Sequence, residues 1–129
     1  MRVLLDTNVV IWWLTENKRL TQSTYELIGH PSNFIVVSVC SIWEIAIKAS
    51  IGKLRLGGTI EGLIQPALRQ SGIEVLPIRI EHAMEVEALP FHHADPFDRL
   101  LVAQARIDGL TLCSSDSRLR LYDVPTIPA

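Results

Sequence analysis

The sequence predicts a three-layer α/β/α fold: a central parallel sheet of four or five strands flanked by helices. Short apolar runs, each bounded by polar or turn residues, recur along the chain at Val3–Leu5, Phe34–Val37, Ile73–Leu76 and Leu110–Ser114. They do not alternate apolar with polar, as expected for strands buried on both faces. Segments of helical period separate them, and strands alternating with helices imply parallel pairing. The first run ends in Asp6-Thr7-Asn8, where strand gives way to helix. In an open α/β sheet that carboxyl edge is where ligands bind.

Taken in order, Asn8 to Leu14 reads as a short buried helix. Its Trp12 and Trp13 suit packing better than base stacking. Thr15 to Arg19 is a loop. Leu20 to Gly29 is a helix, with Thr21 as N-cap and Gly29 as stop. A turn at 30–33 leads into the second strand. Ser38 is placed to begin a helix that runs to about Ile51 and ends at Gly52. Lys53 to Gly58 is either a short extended edge or a loop. Thr59 to Gln70 is helical, with Pro66 kinking or splitting it. After the third strand, Ile80 to Leu89 is amphipathic. Pro90 to Ala94, with His92-His93, reads as a loop whose histidines at most border a site. Asp95 and Pro96 suit the N-cap and first position of the next helix, which Gly109 ends. A fourth strand follows, then a short helix after Asp116. Pro125 to Ile127 is a candidate fifth strand. No repeat or linker interrupts the 129 residues, which suit one domain spanning 1–129.

Composition excludes several classes. The chain is 48% hydrophobic and 20% charged, which argues against disorder. A net charge of −2 means that a polyanion would need a local basic patch or a metal. Cys40 and Cys113 lack zinc-site spacing and read as buried thiols of a reducing compartment. No apolar run approaches the roughly 20 residues of a membrane span, and the N-terminus does not read as a signal peptide. A cytoplasmic protein without membrane association is expected.

Four acids stand at comparable places: Asp6 after strand one, Glu44 early in the helix after strand two, Asp98 in the first turn of the helix before strand four, and Asp116 after strand four. Each has a local explanation. Asp6 and Asp116 could be caps, Glu44 could pair with Lys48, and Asp98 could serve the cap at Asp95. Together they suggest more, because strand-to-helix turns of a parallel sheet share one edge. Carboxylates brought close repel unless a cation neutralises them, and Mg2+ or Mn2+ takes oxygen ligands. Such a site predicts metal-dependent phosphodiester hydrolysis.

These residues resemble the PIN domain, and within it the VapC-type toxins of prokaryotic toxin–antitoxin pairs. The resemblance rests on Leu5-Asp6-Thr7-Asn8, Ser38 through Trp43-Glu44 with Lys48, Asp95 through Ala105, and Ser114-Ser115-Asp116 with Tyr122. It covers essentially the whole chain, and the Asp95–Ala105 block is its most specific part. It implies Asp6, Glu44, Asp98 and Asp116 as metal-binding catalytic acids, with Thr7 and Asn8 in support. Ser114 stands where the family often has threonine. The resemblance also implies Mg2+ or Mn2+, cleavage of RNA, inhibition by a VapB-type antitoxin and a homodimer. Lys48 and Arg99 are the first candidates for phosphate contact, with Lys53 and Arg55 nearby in sequence. Two other readings are open. A phosphoacceptor module lacks its second adjacent acid and its late lysine here. A catalytically inactive PIN-like scaffold would bind RNA or protein without cutting.

Overall fold

The computed structural model describes residues 1–129. Strands β1 (Arg2–Leu5), β2 (Phe34–Ser38), β3 (Glu74–Leu76), β4 (Thr111–Ser114) and β5 (Thr126–Pro128) form one sheet in the order β3-β2-β1-β4-β5. Every pairing is parallel, and β1 is central, with Leu5 opposite Val37 on one side and Cys113 on the other. Helices α1 (Thr7–Leu14), α2 (Gln22–Gly29), α3 (Val39–Ser50), α4 (Gln65–Gln70), α5 (Ile80–Ala88) and α6 (Pro96–Asp108) cover it.

Alternation along β1 builds the layers. Val3 and Leu5 join Val9, Ile28, Ile45 and Leu68 in one core, while Leu4 joins Leu101, Val102 and Leu112 in a second core. Successive strand residues point to opposite faces, so the apolar run Val3-Leu4-Leu5 serves both cores and is fully buried. Trp12 and Trp13 are half-buried against the first core, as packing residues.

The boundaries shift for local reasons. The second helix starts at Gln22, because the Thr21 side chain accepts from the Thr24 N–H and so occupies the cap. Pro66 splits its segment: a π-helical turn at Ile60–Ile64 precedes α4, in whose first turn the missing N–H of proline is harmless. Lys53 to Gly58 forms no strand; it is a loop that turns at Gly52 and Gly57, both with φ of +76°. Its Leu54 and Leu56 rest on the first core. The segment after Asp116 is a 3-10 turn over Ser117–Leu121. No helix is long and apolar enough to cross a membrane.

Candidate active site

The carboxyl edge of the sheet gathers the acids through their local roles. Asp6 caps α1: its Oδ1 accepts the Val9 N–H at 2.9 Å. Its Oδ2 accepts a hydrogen bond from Ser114 Oγ, at the end of the neighbouring β4. Ser114 Oγ in turn accepts the Asp116 N–H at 3.0 Å, so one hydroxyl ties two acids together. Thr7 Oγ1 donates to Ser41 Oγ at 3.0 Å, pinning the start of α1 to α3. One turn along α3, Glu44 pairs through Oε2 with Lys48 at 2.9 Å. Its Oε1 is buried with no partner. Asp98 sits in the first turn of α6, where Asp95 Oδ1 accepts the Phe97 and Asp98 N–H groups as the cap.

All four acids border one cavity of about 200 Å³ with no hydrophobic residue in its lining. Thr7, Asn8 and Lys48 share that lining, as do His93, Asp95 and Arg118. A larger hollow beside Glu85 and Asp123 offers no comparable set, since Arg106 pairs with both acids there.

The acids are not electrostatically alike. Burial pushes Asp6 above the ordinary carboxylate range, and the Ser114 hydrogen bond partly offsets this. Burial, with the charges of Asp95 and Asp6, pushes Asp98 up to about 7. Asp116 is held well below the ordinary range, chiefly by Arg118. That guanidinium donates from Nε at 3.0 Å and Nη2 at 2.8 Å to the two oxygens of Asp116, a bidentate pair. The cavity therefore holds acids resisting ionisation beside one already neutralised. A carboxylate with one oxygen lacking a donor, on a residue that lines an all-polar cavity, fits a hard cation. Asp6, Glu44 and Asp98 have oxygen capacity to spare, and Asp116 reaches the same space.

Arg99 departs from the expectation that it contacts phosphate or neutralises the acids: it is only 5% exposed and does not line the cavity. Its Nη1 donates to Pro90 O at 2.8 Å and Tyr122 Oη at 3.1 Å. Its Nη2 donates to Val86 O at 3.2 Å and Leu89 O at 3.3 Å. Neighbouring helix positions face directions about 100° apart, so a residue that aims Asp98 at the cavity aims Arg99 elsewhere. There it satisfies carbonyls at the end of α5, where a cation is favourable. Lys53 and Arg55 also lie outside the cavity lining.

Two further residues line the cavity, His93 and Arg118. His93 lies in a loop, as the sequence implies, but it is buried and its Nε2 lies 2.8 Å from Asp116 and 3.2 Å from Asp98. Arg118 carried no motif signal at all. Its position two residues after a capping acid was the one available hint.

Comparison with known proteins identifies the family. The family model described as PIN domain matches residues 3–125. The chain belongs to the PIN domain family. It is 31% identical over 124 residues to ribonuclease VapC22 of Mycobacterium tuberculosis, covering 95% of this chain and 93% of that one, which sets it among the VapC-type PIN domains. In fold it resembles VapBC2 from Rickettsia felis, solved bound to a DNA fragment from the promoter, with TM-score 0.74, 14% identity and coverage of 99% and 98%. A toxin–antitoxin complex from Klebsiella pneumoniae matches with TM-score 0.64, 18% identity and coverage of 97% and 95%. The PIN fold places Asp6, Glu44 and Asp116 on elements that follow β1, β2 and β4.

Proposed function

We propose that this PIN domain, spanning 1–129, is a metal-dependent endoribonuclease acting as the toxin of a toxin–antitoxin pair. One observation carries the reading: Glu44, whose buried Oε1 has no hydrogen-bond partner, lines a wholly polar cavity together with Asp6, Asp98 and Asp116. The donors are carboxylates with no thiolate among them, which favours Mg2+ or Mn2+ over softer metals. Asp6, Glu44 and Asp98 would hold the ion, with Asp116 at its side. When bound, such an ion supplies Lewis-acid polarisation of the phosphodiester and acidifies the attacking water.

The chain's own residues do the rest. Ser114 holds Asp6 Oδ2 in place, and Thr7 fixes α1 against the helix that carries Glu44. Asn8 offers an amide at the wall of the cavity. Lys48 and Arg118 place positive charge where an RNA phosphate must approach a set of acids that would otherwise repel it.

The kinship with ribonuclease VapC22 supports RNA as the substrate. Toxin–antitoxin complexes among the similar structures support a VapB-type antitoxin as partner. A homodimer and a cytoplasmic setting belong to the same reading, the latter in keeping with free, buried Cys40 and Cys113. The test is cleavage of RNA by the purified chain with Mn2+ or Mg2+ and with chelator. Metal-dependent cleavage lost in folded Asp6→Asn is expected. Cleavage that persists in chelator, or in Asp6→Asn, rejects the mechanism. Absence of Mn2+ binding by calorimetry favours a scaffold.

A further inference from the structure

His93, Asp98 and Asp116 bring three ligating atoms within 4.8 Å of one another, which invites a reading of His93 as a metal ligand. The ring's other nitrogen argues otherwise. His93 Nδ1 lies 3.0 Å from the Asp95 backbone N–H, which can only donate, so Nδ1 accepts and carries no hydrogen. The ring hydrogen is therefore on Nε2. From there it donates to Asp116 Oδ2 at 2.8 Å, with Asp98 Oδ2 at 3.2 Å beside it. A nitrogen that carries hydrogen has no lone pair for a cation.

The placement of the ring is built, not incidental. The His93 backbone N–H donates to Tyr122 Oη at 3.1 Å, and the His92 N–H donates to the same oxygen at 3.2 Å. Buried Tyr122 is in turn held by Arg99 Nη1 at 3.1 Å. Arg99 thus touches no acid, but it holds the Tyr122 hydroxyl on which the loop carrying His93 is fastened.

Resting on the nuclease reading above, we propose that His93 is a positioning residue: its Nε2–H sets Asp116 against Asp98 and takes no place among the metal ligands. The two carboxylates come from separate elements, α6 and the turn after β4; Arg118 and Ser114 hold Asp116 without touching Asp98, and His93 is the side chain that lies against both. One N–H between them fixes their separation before a cation arrives. This is how hydrogen-bond partners outside a coordination sphere orient the ligands within it.

The experiment combines ring-nitrogen NMR with metal titration. In the metal-free chain, two-bond proton–nitrogen spectra of His93 should show Nε2 protonated and Nδ1 bare, and saturating Mg2+ should leave that pattern unchanged. His93→Ala should weaken Mn2+ binding, read by electron paramagnetic resonance, by about 10- to 100-fold. On a short RNA it should lower kcat with KM preserved. His93→Gln, whose amide can donate at nearly the same point, should recover part of both. Circular dichroism checks that each variant is folded; if the alanine protein is not, the glutamine variant and the wild-type spectra decide. An Nε2 without its hydrogen, or Mn2+ binding in folded His93→Ala equal to wild type, overturns the role of His93. Wild-type protein that binds no Mn2+ while Nε2 is protonated overturns the nuclease reading instead.

Discussion

Ser114 and Asp6, 108 positions apart in the chain, are joined by a hydrogen bond across the β1–β4 pair. It is the main interaction drawing Asp6 back toward its ionised form against the cost of burial. Ser114→Ala removes that donor and leaves a buried carboxylate oxygen short of a partner, a loss of about 1–3 kcal/mol. Weaker Mn2+ binding and slower cleavage are expected. Ser114→Thr keeps the hydroxyl and should retain both. A calorimetric titration of the three proteins checks this: equal affinities for Ser114→Ala and wild type would contradict it.

The pH dependence of stability follows from Asp98. Its folded pKa is about 7 against 3.8 for the free side chain, so the folded chain binds its proton more tightly than the unfolded chain does. Stability of metal-free protein should therefore be greatest, on this account, below about pH 4 and fall as pH rises to about 7. The loss is on the order of 2–4 kcal/mol. Raised Asp6 acts in the same sense, while lowered Asp116 opposes it at the acid end. Asp98→Asn should flatten the slope and raise Tm at pH 8 by roughly 8–16 °C, while abolishing cleavage. Thermal melts in chelator from pH 4 to 8 measure both; an unchanged slope in the variant would reject the assignment. Saturating Mg2+ should stabilise the wild type most at high pH, because it binds the ionised carboxylates.

Much of the sheet and three of the acids could be read from the sequence because local and global roles coincide. Asp6 and Asp116 cap the segments that follow β1 and β4, and a parallel sheet brings those turns to one edge. Glu44 follows β2 by the same logic, and Lys48 four residues on is its ion pair. Asp98 required one more condition, that α6 present its N-terminus at this edge. Basic residues escaped such reasoning. Arg99 and Arg118 look alike in sequence, and only packing decides which guanidinium meets carbonyls and which meets carboxylates. His93 lies in a loop with no period to orient it, so its place depends on Tyr122, a residue 29 positions away.

Arg99 should behave as a structural residue. Its guanidinium serves three carbonyls and the Tyr122 hydroxyl, and it stacks 4.1 Å from the centre of the Phe91 ring. Lysine has no planar fork to satisfy that set. Arg99→Lys should lower stability by about 2–4 kcal/mol, with its effect on RNA affinity no greater than the loss of folded protein explains. Urea denaturation paired with binding at saturating folded fraction separates the two. A variant of wild-type stability that binds RNA tenfold more weakly would return Arg99 to the substrate.

Arg118 is the contrasting case. Its side chain is 62% exposed and grips Asp116 from the rim of the cavity. Removing it should leave folding nearly intact, since an exposed ion pair adds little, but should let Asp116 rise from its depressed range toward ordinary carboxylate behaviour. It should also remove one phosphate contact. RNA binding by Arg118→Ala, measured on catalytically inert Asp6→Asn background across a salt series, should be weaker, with the slope of log affinity against log salt reduced by about 0.7 for a single strand. Arg118→Lys should restore the slope but not the bidentate hold on Asp116. A salt slope identical in wild type and Arg118→Ala would mean that the guanidinium serves Asp116 alone, and that positive charge for the substrate comes from Lys48 or a second chain.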